Sequence, residues 1–319
     1  MKKMKIIFMG TPEFAVGTLQ ALIDGGYDVV AVVTQPDKPV GRHGSVLQPP
    51  PVKVFAEQHG IPVLQPEKMK DPAFIEELRS YNADVQVVVA FRMLPEVVWS
   101  MPRWGTFNVH AALLPQYRGA APINWAIING ETETGVTTFF LDHDIDTGRI
   151  IMQKPFAIPD DADVEYVYDG LMQLGAEAAV ETLKMLQESG GDIPSMSQEE
   201  LIADSTELHN APKIFKETCK INWQQPCKRV YDFIRGLSPI PGAWGSVIMP
   251  GGTNAELKIY RSAKTDIPTP PEVSIGQLIA EKKHCYVACQ DTLLELLTVQ
   301  PAGKKRMAAQ DYLNGIHNA

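Results

Sequence analysis

Residues 107–122 read Phe107-Asn108-Val109-His110-Ala111-Ala112-Leu113-Leu114-Pro115-Gln116-Tyr117-Arg118-Gly119-Ala120-Ala121-Pro122. They follow the turn signal Trp104-Gly105-Thr106 and predict a strand that ends in a loop. Because side chains alternate faces along a strand, Asn108 and His110 are expected on the same side, about 7 Å apart. A carboxamide beside an imidazole suits chemistry on a carbonyl group, since one polarises the oxygen and the other moves a proton.

The segments before this stretch predict a sheet of mostly parallel strands. A buried strand at Lys5–Met9, a helix that stops at Gly25-Gly26 and a strand at Asp28–Thr34 form a βαβ unit. The valine-rich run Val85–Ala90 is typical of a central strand that is buried on both faces. We therefore predict an α/β, Rossmann-like domain with a twisted, parallel-rich sheet. Its first turn has only Gly10 where G-x-G-x-x-G needs three glycines, so no nicotinamide cofactor is expected.

The chain is long enough for two domains. A polar segment with Ser, Asp and Pro follows the long amphipathic helix at Val164–Glu188, and short strands with Gly/Pro turns come after it. We predict a catalytic domain over residues 1–189, a linker over 190–210 and a small β-barrel, OB-like, over 211–319.

Charge is unevenly distributed along the chain. The formal net charge is −9, yet the part from Ser205 to the end has 14 Lys/Arg against 10 Asp/Glu, a net of +4, which leaves −13 for the rest. A basic C-terminal part on an acidic protein favours a polyanionic partner for that part. Lys304, Lys305 and Arg306 form the densest basic cluster, although such a cluster can also be a solubilising surface turn.

Several classes of protein are disfavoured by simple counts. Four cysteines without C-x-x-C spacing, Cys219, Cys227, Cys285 and Cys289, predict free thiols in a reducing compartment. The apolar start of the chain meets Gly10-Thr11-Pro12-Glu13, which no signal-peptide core tolerates. No stretch approaches 18 apolar residues, so no membrane span is expected. We expect a cytoplasmic protein, a monomer.

Two loops carry charged side chains of interest. The long loop Gln35–Pro51 contains Arg42 between two glycines, where it can reach a phosphate or simply be solvated. The loop Asp142–Gly148 has acids at alternate positions, but an EF-hand needs Gly at position six and Glu at twelve, where this chain has Thr147 and Gln153. No metal is expected there, and Asp146 becomes the carboxylate to pair with His110.

Ten segments together resemble the folate-dependent formyltransferase family over nearly the whole chain. They are Phe8-Met9-Gly10-Thr11-Pro12-Glu13-Phe14, Gln35-Pro36-Asp37-Lys38-Pro39, Asn108-Val109-His110, Ala112-Leu113-Leu114-Pro115, Tyr117-Arg118-Gly119-Ala120-Ala121-Pro122, Asp146-Thr147-Gly148, Ile221-Asn222-Trp223, Ile234-Arg235-Gly236-Leu237-Ser238-Pro239, Pro241-Gly242-Ala243-Trp244 and Gln300-Pro301-Ala302-Gly303-Lys304-Lys305-Arg306-Met307. The last is similar in particular to the branch whose acceptor is methionyl initiator tRNA.

The resemblance implies a reaction and a set of residues. Asn108, His110 and Asp146 would transfer a formyl group from 10-formyltetrahydrofolate to an amine, the step that prepares initiator tRNA for translation. It implies folate contacts at Ala112, Leu113, Leu114 and Pro115, and tRNA contacts at Arg42, Lys304, Lys305 and Arg306. The chain has Ala112 where the family often has Ser, and its loop after Arg42 has none of the lysines that are common in the tRNA branch.

Other functions share part of this pattern. A formyltransferase for a nucleotide-linked amino sugar would keep the first domain and the same three residues, with less need of the basic C-terminal segment. A glycinamide ribonucleotide formyltransferase would resemble only the first domain. A hydrolase would release formate without an acceptor, and a non-catalytic nucleic-acid-binding protein would need no intact Asn, His and Asp.

Overall fold

The computed structural model describes residues 3–40, 46–202, 207–281 and 283–317 of the chain. Arg42 lies outside these ranges. The described residues separate into two units: one contains Met1–Gly119, Thr134–Phe156 and Tyr168–Asn210, and the other contains Ala120–Glu133, Ala157–Val167 and Ala211–Ala319. The division of the chain into domains at residues 189 and 210 stays a prediction.

The strands, in chain order, are β1 (Lys5–Gly10), β2 (Asp28–Val33), β3 (Lys38–Val40), β4 (Val46–Gln48), β5 (Val63–Leu64), β6 (Val85–Val89), β7 (Thr106–His110), β8 (Arg118–Gly119), β9 (Glu133–Phe140), β10 (Ile150–Ala157), β11 (Asn210–Ala211), β12 (Ala243–Ile248), β13 (Asn254–Pro268), β14 (Leu278–Glu281), β15 (His284–Ala288), β16 (Thr292–Pro301) and β17 (Met307–Ala308). The α-helices are α1 (Glu13–Asp24), α2 (Pro51–Gln58), α3 (Pro72–Ser80), α4 (Glu96–Trp99), α5 (Pro122–Ile128), α6 (Val164–Ser189), α7 (Cys227–Arg235) and α8 (Ala309–His317). Within the described residues, 3₁₀ turns lie at Gln198–Leu201 and Glu217–Cys219.

A seven-stranded sheet in the order β10-β9-β7-β6-β1-β2-β5 forms the centre of the first unit. The pairs β1–β2, β1–β6, β2–β5 and β6–β7 are parallel, whereas β7–β9 is antiparallel. All five residues of β6 are buried, which confirms the central position predicted from its valines. Parallel strands end at the same edge, so the loops after β1, β6 and β7 meet there.

Helices cover both faces of this sheet. One face contributes Ile7, Met9, Ala31, Val33 and Val88 to a core cluster with residues of α3 and α4. On the other face, Gly175 of α6 lies against Val109 of β7, so close that a Cβ at residue 175 would lie 3.1 Å from the Val109 side chain. The α/β fold with a parallel-rich sheet that the βαβ pattern predicts is therefore confirmed.

The second unit contains an antiparallel sheet in the order β12-β13-β16-β15-β14, with β17 paired to β16. The two edge strands meet, because Ile248 at the end of β12 donates through its amide to the Gly276 carbonyl (2.9 Å) beside β14. The sheet thus closes on itself around an apolar core that includes Leu257, Val287 and Leu296. The expected antiparallel β domain is confirmed, with the closure typical of a small barrel.

Three features of this unit escaped sequence reasoning. Strand β13 is longer than the short strands that the sequence predicts and continues to Pro268, because its later residues are largely polar and mostly exposed and show no strand pattern in the sequence. Strand β14 and helix α8 were not predicted; both are short, and α8 contains Gly315, which weakens a helical pattern. The four cysteines are free, as expected, and all of them are buried. Burial raises the pKa of the Cys285 thiol to about 12, which makes that group unreactive.

Candidate active site

Strand β7 presents Asn108 and His110 on one face of the sheet. Val109 between them faces α6, and alternation therefore turns its two neighbours to the opposite side. Directly across on β9, Asn108 pairs with Phe139 and His110 with Thr137. The His110 ring contacts the Phe139 ring edge to face, with centroids 6.4 Å apart. The predicted shared face is confirmed, and it lies at the carboxyl end of the strand.

The hydrogen bonds of His110 assign different tasks to its two nitrogens. The side chain is only 6% exposed, and Nε2 lies 2.9 Å from the Tyr117 carbonyl oxygen. Since a carbonyl can only accept, Nε2 carries a hydrogen whether the ring is neutral or charged. Nδ1 is therefore the nitrogen that can gain or lose a proton, and it lies 3.8 Å from Asp146 Oδ2.

The structure brings Asp146 to His110 from the loop between β9 and β10. Its backbone is left-handed, with φ of 56°. Its carboxylate Oδ2 accepts a hydrogen bond of 2.9 Å from the Gly119 amide. One carboxylate oxygen is thus aimed at Nδ1 and tied to the loop after β7, where it stabilises a charged imidazole. The expected pairing of Asp146 with His110 is present in the geometry.

Asn108 has an unsatisfied acceptor. Its Oδ1 is buried and has no hydrogen-bond partner among the described residues. Buried polar atoms without partners are rare in proteins and call for an explanation such as a bound substrate. The amide is therefore available to a ligand, the property that a group acting on a carbonyl requires.

Sequence reasoning overlooked the backbone partners in this site. The Tyr117 carbonyl and the Gly119 amide hold His110 and Asp146 respectively. Both residues lie in the Tyr117–Pro122 segment that carries part of the family resemblance, but a backbone group leaves no signature in the sequence that would assign it a role.

The segment Ala112–Pro115 is held mainly by the protein itself. Thr137 Oγ1 donates to the Ala112 carbonyl (2.6 Å) and accepts from the Leu114 amide (3.1 Å). Gln153 Nε2 donates to the Leu114 carbonyl at 2.8 Å. Ala112 and Leu114 are buried, whereas Leu113 is partly exposed. Folate contacts at Ala112, Leu113, Leu114 and Pro115 stay a prediction, and the backbone groups named here are already occupied.

A cavity of about 530 Å³ lies in the same unit. Its lining is mostly apolar and comprises Met69, Lys70, Met93, Leu94, Pro95, Glu96, Val97, Trp99 and His143. His143 belongs to the loop that carries Asp146, and its ring contacts Trp99 edge to face, with centroids 5.4 Å apart. The cavity is therefore adjacent to the loop that carries Asp146, through a residue three positions before that carboxylate.

The basic cluster lies in the second unit, in the turn between β16 and β17. Lys304, Lys305 and Arg306 are all exposed, and none forms an ion pair with a residue that the structure describes. The Arg306 guanidinium stacks over the Tyr260 ring, 3.5 Å from its centroid. Tyr260 also donates to Gln300, which in turn donates to the Lys304 carbonyl. The turn is thus anchored while its charges face solvent.

The described residues contain neither a metal-binding cluster nor a helix suited to span a membrane. No group of three or more His, Cys, Asp or Glu side chains there is arranged to hold a metal ion. None of the helices in the described ranges has the length and apolar character that crossing a membrane requires.

Two protein-family models match the chain. The model described as formyl transferase matches residues 3–183, and the model described as formyl transferase, C-terminal domain, matches residues 213–317. Together they cover most of the chain.

Individual proteins are similar over comparable lengths. A protein of Parabacteroides distasonis named methionyl-tRNA formyltransferase is 58% identical over 318 residues, 99% of this chain and 97% of that protein. Two solved structures share the fold at 18% identity. HypX from Aquifex aeolicus, in complex with tetrahydrofolic acid, has a TM-score of 0.62 over 98% of this chain, which spans 47% of the HypX chain. The sugar 3N-formyl transferase WlaRD, with dTDP and 5-N-formyl-THF, has a TM-score of 0.64 over 96% of this chain and all of its own.

Proposed function

Because this chain belongs to the formyl transferase family, we propose that it transfers a formyl group from 10-formyltetrahydrofolate to the free amino group of methionyl-tRNA, the reaction that produces the formylated initiator tRNA. The observation that supports methionyl-tRNA as the acceptor is the 58% identity with a methionyl-tRNA formyltransferase over nearly the whole of both chains. A nucleotide-linked amino sugar is disfavoured, since the sugar formyltransferase is 18% identical and shares only the fold.

The reaction exchanges one carbon–nitrogen bond for another. The donor, when bound, supplies a formyl carbon on a nitrogen that can leave. The acceptor nitrogen forms a bond to that carbon, and the bond to the donor nitrogen breaks. The acceptor nitrogen loses a proton and the donor nitrogen gains one, so the site must stabilise charge on the formyl oxygen and move a proton.

Asn108 suits the first task. Its amide N–H can donate to the formyl oxygen as negative charge develops there, and such a donor is typically worth about 3–4 kcal/mol of transition-state stabilisation. The unpartnered Oδ1 of the same amide can accept from an N–H of the attacking amine. One side chain would then orient both reacting groups.

His110 suits the second task. With Nε2 bound to the Tyr117 carbonyl, Nδ1 is the atom that takes the proton from the amine and returns it to the departing nitrogen. Asp146, 3.8 Å away, stabilises the imidazole while it holds the extra proton. General acid–base assistance of this kind is typically worth roughly 10²–10⁴ in rate.

The cavity next to the Asp146 loop is our candidate for the donor's ring system. Its apolar lining, with the Trp99 indole and a volume of about 530 Å³, suits a flat heteroaromatic ligand. Lys70 at its rim is a cation that a carboxylate on the donor could approach. This assignment adds a second folate region to the predicted contacts at Ala112–Pro115.

The tRNA would use the basic side chains of the second unit and of the long loop. Lys304, Lys305 and Arg306 are exposed and free of acidic partners among the described residues, so phosphates can neutralise them at little cost. We retain Arg42 as a further phosphate contact. Since the substrate belongs to translation, we expect the protein to act in the cytoplasm.

A comparison of two acceptors in separate reactions tests the proposed function. The protein is incubated with 10-formyltetrahydrofolate and either methionyl-tRNA or an amino-sugar nucleotide, and the formylated product is identified by mass. We expect formylmethionyl-tRNA alone, and no product with N-acetylated methionyl-tRNA, which lacks the free amine. Formylation of the sugar, or formate released without any acceptor, would contradict the proposal.

A further inference from the structure

The turn that carries Asp146 is held in an unfavourable conformation. Asp146 is a non-glycine residue with a left-handed backbone, which costs free energy and persists only where surrounding contacts over-determine it. The Asp146 carbonyl oxygen accepts a hydrogen bond of 2.8 Å from the side chain of Gln198. A contact from a distant part of the chain therefore acts on the backbone of this residue.

Gln198 uses its whole hydrogen-bonding capacity in this region. Its Nε2 donates to the Asp146 carbonyl and, at 2.9 Å, to the Gly148 carbonyl. Its Oε1 accepts from Arg118 Nε at 3.0 Å and from Nη2 at 2.6 Å. A carboxamide has two N–H donors and two acceptor lone pairs, so every one of them is satisfied, and the residue is only 2% exposed.

Arg118 connects this amide to the rest of the site. It lies between Tyr117, whose carbonyl binds His110, and Gly119, whose amide binds the Asp146 carboxylate. Gln198 thus joins the loop after β7 to the turn between β9 and β10. The separation between His110 Nδ1 and Asp146 Oδ2 is set where these two segments meet.

The backbone of Gln198 is itself fixed. Met196 and Ile150 exchange two backbone hydrogen bonds of 2.8 Å. The Ser197 side chain accepts from the Glu199 amide, and the Glu200 carboxylate accepts from the Ser197 amide, a capping box that starts the 3₁₀ turn. The amide is therefore presented to the two loops in one orientation, in the segment where the sequence predicts the linker.

We propose that Gln198 is a positioning residue for formyl transfer, which holds the Asp146 turn against the Arg118 loop and so keeps the carboxylate aligned with His110. The proposal rests on the proposed function. Gln198 touches neither reacting group; it acts through the backbone carbonyls of Asp146 and Gly148. Its removal should slow the chemical step and leave the affinity for both substrates near that of the wild type.

Two substitutions separate this role from a merely structural tie to Arg118. Gln198→Met keeps the length of the side chain and removes all four hydrogen bonds. Gln198→Glu keeps the acceptors for Arg118, now as an ion pair, but cannot donate to the two carbonyls. If the donation to the turn is what matters, both variants lose activity; if the link to Arg118 is what matters, Gln198→Glu restores it.

Single-turnover formylation of methionyl-tRNA at saturating substrates is the kinetic readout. We expect the rate constant to fall roughly 10- to 100-fold in both variants, the scale of loss that a displacement near 1 Å causes, with KM values close to wild type. Thermal unfolding shows whether each variant folds. Wild-type rates in Gln198→Met, or rescue by Gln198→Glu, would overturn the proposal.

A double substitution tests whether Gln198 acts through Asp146. In a chain that already carries Asp146→Ala, Gln198→Met should cause no further loss of rate, because there is no carboxylate left to position. A purely structural role would instead add its full effect to that of Asp146→Ala. Additive losses are therefore incompatible with the positioning role.

Hydrogen exchange provides a readout that needs no substrate. Peptides covering residues 142–149 should exchange faster in Gln198→Met than in wild type. The matched control is Ser195→Ala, which removes a neighbouring hydrogen bond from Arg149 and should change neither exchange nor rate. Unchanged exchange in Gln198→Met would contradict the proposal that Gln198 holds the Asp146 turn in place. If the wild type does not formylate methionyl-tRNA, the proposed function is wrong. The hydrogen-exchange measurement still tests whether Gln198 holds the Asp146 turn.

Discussion

The imidazole of His110 is the side chain whose surroundings say most about the chemistry. A backbone carbonyl at Nε2 holds one hydrogen in place, so that proton exchange is confined to Nδ1. At 3.8 Å the carboxylate of Asp146 is near enough to stabilise a charged ring and too far for a direct hydrogen bond. The neighbouring Asn108, with a buried acceptor that no described residue satisfies, completes a site that can hold a carbonyl and move one proton.

Removing any of these three side chains should abolish most turnover without unfolding the protein. We expect the single-turnover rate to fall by about 10²–10³ in Asn108→Ala and by roughly 10²–10⁴ in His110→Ala and Asp146→Ala. Thermal unfolding should show folded variants. The matched control is His59→Ala, which removes an exposed imidazole of the same unit and should retain activity. Near-normal formylation by His110→Ala or Asp146→Ala would refute their assignment.

At the scale of elements, the site is built where the carboxyl ends of β6 and β7 meet the loop between β9 and β10. Strand β9 runs antiparallel to β7, so the last residues of β9 lie beside the first residues of β7. The chain that follows β9 must therefore turn back to reach the carboxyl end of β7. The turn at Asp142–Gly148 places the Asp146 carboxylate 3.8 Å from His110 Nδ1. Its geometry depends on close backbone packing, since a Cβ at Gly148 would lie 1.7 Å from the Phe140 carbonyl oxygen.

Gly148→Ala should therefore displace the turn and reduce activity. The methyl group has no space against the Phe140 carbonyl, so the turn must move, and overpacking of this kind typically costs about 1–3 kcal/mol of stability. Denaturant unfolding and single-turnover formylation measure the two effects. The control is Gly251→Ala, where a Cβ meets nothing within 4 Å and stability should not fall. A Gly148→Ala variant with wild-type stability and rate would show that the turn tolerates the shift.

At the scale of the whole molecule, the two parts of the chain differ in net charge. The acidic part of the chain carries the three side chains that we propose to be catalytic, and the part with a net charge of +4 carries the exposed turn at Lys304–Arg306. This division matches a reaction in which a small donor and a large polyanion must bind the same protein. In the proposed reaction, phosphate contacts would supply affinity for the tRNA, while Asn108, His110 and Asp146 would act on the formyl group.

Binding of methionyl-tRNA should weaken steeply as salt is added. Substituting Lys304→Ala and Lys305→Ala together should raise KM for the tRNA, leave kcat nearly unchanged and reduce the slope of log Kd against log salt by about two, one for each lost phosphate contact. Lys184→Ala, an exposed lysine that pairs with Glu188 on α6, is the control and should alter neither. A flat salt response of the wild type would argue against a tRNA substrate.

The sequence by itself determined the parallel sheet, the shared face of Asn108 and His110, the free cysteines and the β-rich second unit, because each follows from local periodicity or from a count. The sequence also offered Asp146 as the carboxylate to pair with His110, and the family resemblance implied the same role for it. Tertiary structure decided what holds these groups together: the Gly119 amide lies 27 residues from Asp146, and Gln198 lies 52 residues from it. Backbone hydrogen-bond donors cannot be identified from the pattern of side chains. The polar segment that contains the buried glutamine has the composition of a linker, so the sequence does not distinguish the two. Only the folded chain, by bringing both loops together beside His110, reveals what fixes the distance between His110 and its carboxylate.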